Sequence, residues 1–169
     1  MKEVTIKRLP SNYIEYIKDN IGVPQKINGQ TLWYCKNACH VNSILFCAYV
    51  NTNTKLHCTI IEGIVECSDG LAYEHHWNRI HDDNNNAAYV DVTMDAIASD
   101  NERNAEKKYF DMIEHNMDEM IEKIAKREPL FSKEVHNVID EYYKKHPEKE
   151  SYYKEGKQAV DGENVVKNN

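Results

Sequence analysis

The sequence predicts an α+β fold in which a buried helix packs on an antiparallel sheet, and three features predict it. Residues 39–50 are apolar on nearly every side, as in a helix that is buried rather than lying on the surface. Residues 57–67 carry aliphatic side chains on both faces, which is typical of a central strand. Residues 72–81 and 87–94 flank the turn-rich stretch DDNNN, and this order predicts an antiparallel hairpin.

Length and composition bound the kind of protein. The chain has 169 residues, and 41% of them are hydrophobic, which is ordinary for one domain with a real core. We predict a single domain over residues 1–147 and a charged, flexible tail over residues 148–169, which are poor in aliphatic side chains. A short helix is predicted over residues 11–21, and a loop with turn signals over residues 23–37.

The region before the tail predicts two added helices. Residues 101–126 are predicted to form one long amphipathic helix that ends before Pro129. The second helix begins after Ser132, a residue type that caps helices, and ends before Pro147. The apolar stripe of the first helix consists of Phe110, Ile113, Met117, Met120, Ile121 and Ile124.

Charge and hydropathy exclude several classes of function. The formal net charge is −7, whereas binding to nucleic acids and anionic membranes requires clustered basic residues, so we expect no nucleic-acid partner. No segment approaches the roughly 18 apolar residues that a membrane-spanning helix needs, and the first residues lack the apolar segment of a secretory signal. Five cysteines without framework spacing fit reduced thiols. The sequence therefore predicts a cytoplasmic protein without membrane association.

Of the five cysteines, Cys39 is the best placed to act as a nucleophile. A thiol attacks as the thiolate, and a free thiol with a pKa of about 8.5 is mostly protonated at neutral pH. A helix N-terminus lowers that pKa, and Cys39 lies where the helix of residues 39–50 is predicted to begin. Cys47, Cys58 and Cys67 lie inside predicted elements, where burial raises the pKa of a thiol.

His75 and Asp91 are predicted to meet on one face of the hairpin. Side chains alternate along a strand, so His75 and His76 project from opposite faces of the sheet. A turn centred on Asn84 pairs the residues on either side of it, and this register makes His75 and Asp91 diagonal neighbours on the same face, roughly 5.5 to 8 Å apart at the backbone. At that distance a carboxylate can fix the tautomer of an imidazole, as in a nucleophile–base–acid triad.

Three short fragments, NACHVNS, YEHHWN and YVDVTMD, carry Cys39, His75 and Asp91 in that order. They resemble motifs of the papain-like and transglutaminase-like superfamily of cysteine hydrolases. More narrowly, they are similar to small uncharacterised bacterial and phage proteins with C-H-x-N, E-G, H-A-W and D-x-T motifs. The resemblance covers roughly residues 33–95, a little over a third of the chain. The matching residues are Cys39, His40, Asn42, Glu62, Gly63, His75, Trp77, Asn78, Asp91 and Thr93.

The resemblance implies a papain-like core and a cysteine hydrolase or acyltransferase of the peptidase or amidase type. Cys39 would be the nucleophile that forms a thioester, His75 the general base and Asp91 the residue that orients it. The resemblance also selects His75 over His76, because H-A-W-N aligns with H-H-W-N. Such chemistry requires no cofactor and no metal ion. The implied substrate is a peptide, a protein or a small acyl or amide compound.

The sequence departs from the family at the oxyanion hole. No glutamine lies at the usual short distance before Cys39, and Ala38 replaces the usual tryptophan. Gln30, Asn37 and the backbone N–H of Cys39 are the candidate hydrogen-bond donors. Candidates for supporting the catalytic residues, or for the oxyanion hole, are also Asn42, Glu62 and Trp77.

Two alternatives use the same residues. A non-catalytic binding module would keep this fold and hold a peptide, nucleotide or protein in the cleft, and the missing glutamine favours it. Zinc is a rival, because Cys35, Cys39 and His40 form C-x3-C-H. A structural zinc site needs a second close pair of ligands, but His75 and His76 point to opposite faces of a strand. We therefore predict no metal.

Overall fold

The computed structural model describes residues 1–150, and residues 151–169, which make up nearly all of the predicted tail, lie outside the described part. The described chain is an α+β fold with an antiparallel five-stranded sheet, as predicted. The strands are β1 (Lys2–Val4), β2 (Gln25–Ile27), β3 (Gln30–Leu32), β4 (His57–Cys67), β5 (Ala72–His81), β6 (Ala87–Val90) and β7 (Lys107–His115). The α-helices are α1 (Ser11–Asp19), α2 (Cys39–Asn53), α3 (Asp100–Asn104), α4 (Met117–Ala125) and α5 (Lys133–Lys145).

The main sheet has the order β1-β7-β4-β5-β6, with β4 at its centre. The predicted strands 57–67 and 72–81 are confirmed, and β4 pairs with β5 without interruption from His57 opposite His81 to Glu66 opposite Ala72. The register of β5 and β6 is also the predicted one, since Asn78 pairs with Val90. Both faces of β4 are buried, as its apolar pattern predicted.

Helices pack on one face of the sheet. The other face is enclosed by the sheet itself and by the chain after β1. Helix α2, predicted to be buried, packs on β4 and β5 together with α4, and α5 packs beside it. Asn78 fixes α2 on β5, because its amide nitrogen donates to the carbonyl of Ser43 at 3.0 Å. On the other face, the chain after β1 bridges from Ile6 to Tyr89 on β6 and encloses an aromatic cluster.

The predicted single helix over residues 101–126 is wrong. The chain forms α3, then β7 inserted between β1 and β4, then α4. Asn116 marks the true start of the helical part, because its side chain accepts from the N–H of Glu119. Before that cap, Tyr109 and His115 are buried because they pair with β4 in the sheet, where Tyr109 lies opposite Val65 and His115 opposite Ile60. The helical spacing was genuine only from Met117 onward.

Smaller differences concern the segments on either side of the site. The loop predicted over residues 23–37 contains the hairpin β2–β3, whose turn at Asn28 and Gly29 has positive φ angles of 47° and 83°. The strand predicted over residues 87–94 ends at Val90, and a π-helical turn follows over Thr93–Ile97. Strand β1 was not predicted. None of the helices in residues 1–150 combines the length and apolar character needed to cross a membrane.

Candidate active site

Cys39 is the first residue of α2, at the end of a loop that its own helix holds in place. Asn42, one turn into α2, accepts from the N–H of Cys35 at 3.1 Å and donates to the carbonyl of Cys35 at 2.9 Å. The same amide donates to the hydroxyl of Thr93 at 3.0 Å. Asn42 is fully buried and occupied by these bonds, so it positions the loop before Cys39 and is not an oxyanion donor.

Cys39 is partly exposed as a residue, and imidazoles surround its sulfur. Burial raises the pKa of its thiol, but the charge of His75 and the hydrogen bonds of the surrounding histidines outweigh that effect, so the pKa lies well below its ordinary value. The N–H groups of the first turn of α2 favour the negative charge as well. These neighbours favour the thiolate form of Cys39. The surrounding histidines are His40, His75 and His76.

The hydrogen bond predicted between the hairpin strands is present. The Nε2 atom of His75 lies 2.8 Å from a carboxylate oxygen of Asp91, and both side chains are buried. Asp91 lies just after β6 and also accepts from the hydroxyl of Tyr109 at 2.7 Å and from the N–H of Met94 at 3.1 Å. Because the carboxylate only accepts, Nε2 of His75 carries a proton, which leaves Nδ1 for exchange with the sulfur of Cys39.

His75 is a cation over the physiological pH range. Burial lowers the pKa of its imidazole, but the charges of Asp91 and Cys39 and the hydrogen bonds to them raise it to about 10. Both shifts favour a thiolate–imidazolium pair of Cys39 and His75. This is the ionisation state in which a cysteine nucleophile attacks without first losing a proton.

Trp77 and Gly63 support the ring of His75. The indole of Trp77 lies 6.2 Å from the imidazole, centroid to centroid, with the ring planes 26° apart, and it meets the ring of Tyr109 edge-on. Gly63 on β4 makes room for this indole: a Cβ atom there would lie 2.5 Å from Trp77 Cη2 and would also collide with the carbonyl oxygen of Phe110. The pair Glu62-Gly63, singled out as a motif, thus includes a glycine that the site requires sterically.

A second imidazole, that of His76, reaches the same sulfur from the other face of β5. Its Nδ1 atom lies 3.8 Å from Cys39 Sγ, and its Nε2 atom lies 3.9 Å from a carboxylate oxygen of Glu62. The motif resemblance described above assigned His76 no role. The missed signal was available, because His76 pairs directly with Glu62 across β4 and β5 and so shares its face.

The geometry of the sheet edge explains why two adjacent residues can meet one atom. Strand β6 pairs only with residues 78–81 of β5, so β5 is the edge of the sheet where it carries His75 and His76. A group that lies beside a strand edge is within reach of side chains from both faces. Cys39 occupies this position.

A groove of about 380 Å³ is lined by residues next to Cys39 in the chain, although not by Cys39 itself. It runs between the β2–β3 hairpin, the start of α2 and the chain after α4, and Ala38 and His40, the neighbours of Cys39, line it. Gln30 lines the same groove, whereas Asn37 is exposed in the loop with a φ of 57°. The backbone N–H of Cys39 belongs to the first turn of α2, where amides lack an intrahelical acceptor.

Within residues 1–150 no three His, Cys, Asp or Glu side chains are arranged to hold a metal ion. Comparisons with family models, with curated proteins and with solved structures found no match to this chain. A function for the site has to come from its own geometry and charges.

Proposed function

We propose that this protein is a thiol hydrolase or acyltransferase with a papain-like core, in which Cys39 attacks an amide, thioester or similar acyl bond. The observation that carries the proposal is the buried 2.8 Å hydrogen bond between His75 and Asp91, with His75 placed to lower the pKa of a partly exposed Cys39. A nucleophile, a base and a carboxylate that orients the base are the components of a cysteine triad. The placement of Cys39 at the start of a buried helix that packs on an antiparallel sheet is consistent with this class.

The proposed reaction uses the three side chains in turn. The Cys39 thiolate adds to the carbonyl carbon, and the carbonyl electron pair moves to oxygen. The tetrahedral intermediate collapses to a thioester, and the leaving group takes a proton from Nδ1 of His75. Water, or an acceptor amine or alcohol, then adds to the thioester and gives a proton back to His75, and the thiolate of Cys39 leaves. Asp91 keeps the imidazole in the required tautomer throughout.

The oxyanion of the tetrahedral intermediate needs hydrogen-bond donors. The backbone N–H of Cys39 is one suitable donor, and Gln30 in the wall of the groove is the candidate for the second. The substrate class is accordingly left as an acyl compound with a peptide, protein or small-molecule carrier.

Selective alkylation tests the proposal. With limiting iodoacetamide, peptide mapping should find Cys39 modified first, and its rate should begin to fall at a lower pH than that of an ordinary cysteine, because the pKa of its thiol is lowered. A cysteine of the urea-unfolded chain should instead react about tenfold more slowly for each pH unit below about 8.5. His75→Ala should slow the alkylation of Cys39 at pH 7 by about tenfold or more.

Cys67 is the internal control, because it is also partly exposed but burial raises the pKa of its thiol. Its alkylation should be slow and unaffected by His75→Ala. If native Cys39 reacts no faster than cysteines of the unfolded chain, the hydrolase proposal is wrong, and a non-catalytic binding module on this fold takes its place. Turnover is then measured as hydrolysis of an activated acyl thioester, with Cys39→Ala as the inactive reference.

A further inference from the structure

The side of β5 that faces α2 holds a second imidazole–carboxylate pair, distinct from His75 and Asp91. His76 has no exposed surface, and the ring of Phe131 stacks on it at 4.4 Å, centroid to centroid. Its two ring nitrogens face Cys39 Sγ and Glu62 Oε1, at 3.8 Å and 3.9 Å. Of the groups in the proposed reaction, the one that the His76 imidazole contacts is the sulfur of Cys39.

Glu62 is built to remain ionised. It is fully buried, and it accepts from the backbone N–H of Ser132 at 3.1 Å and also from the Ser132 hydroxyl. Nε2 of His115 lies 3.4 Å from the same carboxylate. Burial raises the pKa of Glu62, but the neighbouring imidazoles of His115 and His76 and the hydrogen bonds from Ser132 lower it far below its ordinary value. A buried carboxylate with these donors favours a protonated His76.

We propose that His76, held by Glu62, is a positioning residue that keeps Cys39 as a thiolate independently of His75. This inference rests on the proposed function and assigns the two adjacent histidines different tasks. His75 exchanges protons with the leaving group and with water, and His76 donates a hydrogen bond to the sulfur and retains its proton. When the acyl group departs, the carbon–sulfur bond breaks with its electron pair on sulfur, and the imidazolium of His76 stabilises that charge while His75 is occupied as the base.

The titratable groups around His76 are consistent with this task. Cys39 and His40 face it from α2 and Glu62 from β4, and the chain entering α5 contributes the ring of Phe131. His115 of β7 contacts the same oxygen of Glu62. Burial lowers the pKa of His76, but the neighbouring Cys39 and Glu62 raise it above its ordinary value. A protonated His76 donates from the nitrogen that faces the sulfur.

The pH dependence of Cys39 alkylation separates the two histidines. His76→Gln removes the nitrogen at the Nδ1 position, whereas His76→Asn places an amide nitrogen near it and so keeps a neutral donor. We expect His76→Gln to raise the apparent pKa of Cys39, so that the alkylation of Cys39 below that pKa slows about tenfold. His76→Asn should slow the same alkylation by about threefold. Glu62→Gln, which keeps acceptors for Ser132, should act like His76→Asn. His136→Gln, at the exposed histidine that contacts Glu74 of β5, is the matched control and should change nothing.

Three outcomes are distinguishable. An ordinary thiol pKa for Cys39 in the unmodified protein overturns the proposed function itself. A low pKa that rises in His75→Gln but stays unchanged in His76→Gln and Glu62→Gln leaves the proposed function standing and overturns the role of His76. A rise in both histidine variants supports it. If His76→Gln does not unfold cooperatively in urea, the decision passes to His76→Asn and Glu62→Gln, and equal pKa values in these variants and the unmodified protein overturn the inference.

Discussion

Asp91→Asn is expected to slow the alkylation of Cys39 at pH 7 by about 100-fold, because it changes the tautomer of His75. The N–H of Met94 retains the amide oxygen as its acceptor, so the amide nitrogen turns toward Nε2 of His75. Nε2 must then accept a hydrogen bond from that amide, which places the imidazole proton on Nδ1. Nδ1 is the nitrogen assigned to proton exchange with Cys39. A neutral imidazole protonated there cannot take the thiol proton. The second-order rate constant with iodoacetamide measures the effect.

Asp95→Asn is the matched control for this prediction. Asp95 lies in the π-helical turn that follows Asp91, and its carboxylate accepts from the N–H of Leu9 at 2.8 Å. An amide oxygen can replace that acceptor, so we expect the alkylation rate of Cys39 to stay within about twofold of the unmodified protein. Alkylation of the Asp91→Asn variant at the unmodified rate would show that His75 does not depend on this carboxylate.

Gly63→Ala should lower the free energy of unfolding by about 3 kcal/mol. The new Cβ collides with the backbone carbonyl of Phe110 and with the indole of Trp77. The carbonyl belongs to the paired strand β7 and cannot move without breaking the ladder, and the indole is packed against His75 and Tyr109. Urea unfolding followed by tryptophan fluorescence measures the change.

Gly29→Ala separates this collision from the general cost of replacing a glycine. Gly29 lies in the β2–β3 turn with a φ of 83°, and a Cβ there meets no atom within 4 Å. Only the left-handed backbone opposes the change, which costs about 1 to 2 kcal/mol. Equal losses of stability in the two variants would contradict the steric role assigned to Gly63. We also expect Gly63→Ala, but not Gly29→Ala, to slow Cys39 alkylation in the folded protein, since it displaces Trp77 from His75.

Local patterns were enough to predict the elements that carry Cys39 and His75, together with the central strand between them. Helix α2 and strands β4 and β5 have continuous apolar faces and clear turn signals at their ends, so their positions follow from short-range sequence alone. Strand alternation then predicted that His75 and Asp91 share a face, which the 2.8 Å hydrogen bond bears out. Their catalytic roles remain predictions.

What could not be predicted depends on how distant segments meet. Strand β7 contains apolar residues at spacings that fit a helix as well as a strand, and only its insertion between β1 and β4 decides between them. The contact of His76 with Cys39 depends on where β6 ends and leaves the edge of β5 free. The ties from Glu62 to His115 and Ser132 join residues more than 50 positions apart, and no local pattern indicates them.

The position of β7 has a consequence for the order in which the chain becomes reactive. The hairpin of β5 and β6 is local and can close early, but Tyr109, which completes the hydrogen bonds of Asp91, arrives only when β7 has inserted beside β4. His115, which contacts Glu62, arrives with the same strand. If Cys39 acts as proposed, we expect it to keep the ordinary acidity of a free thiol until these contacts form. Its reactivity would then depend on a complete sheet.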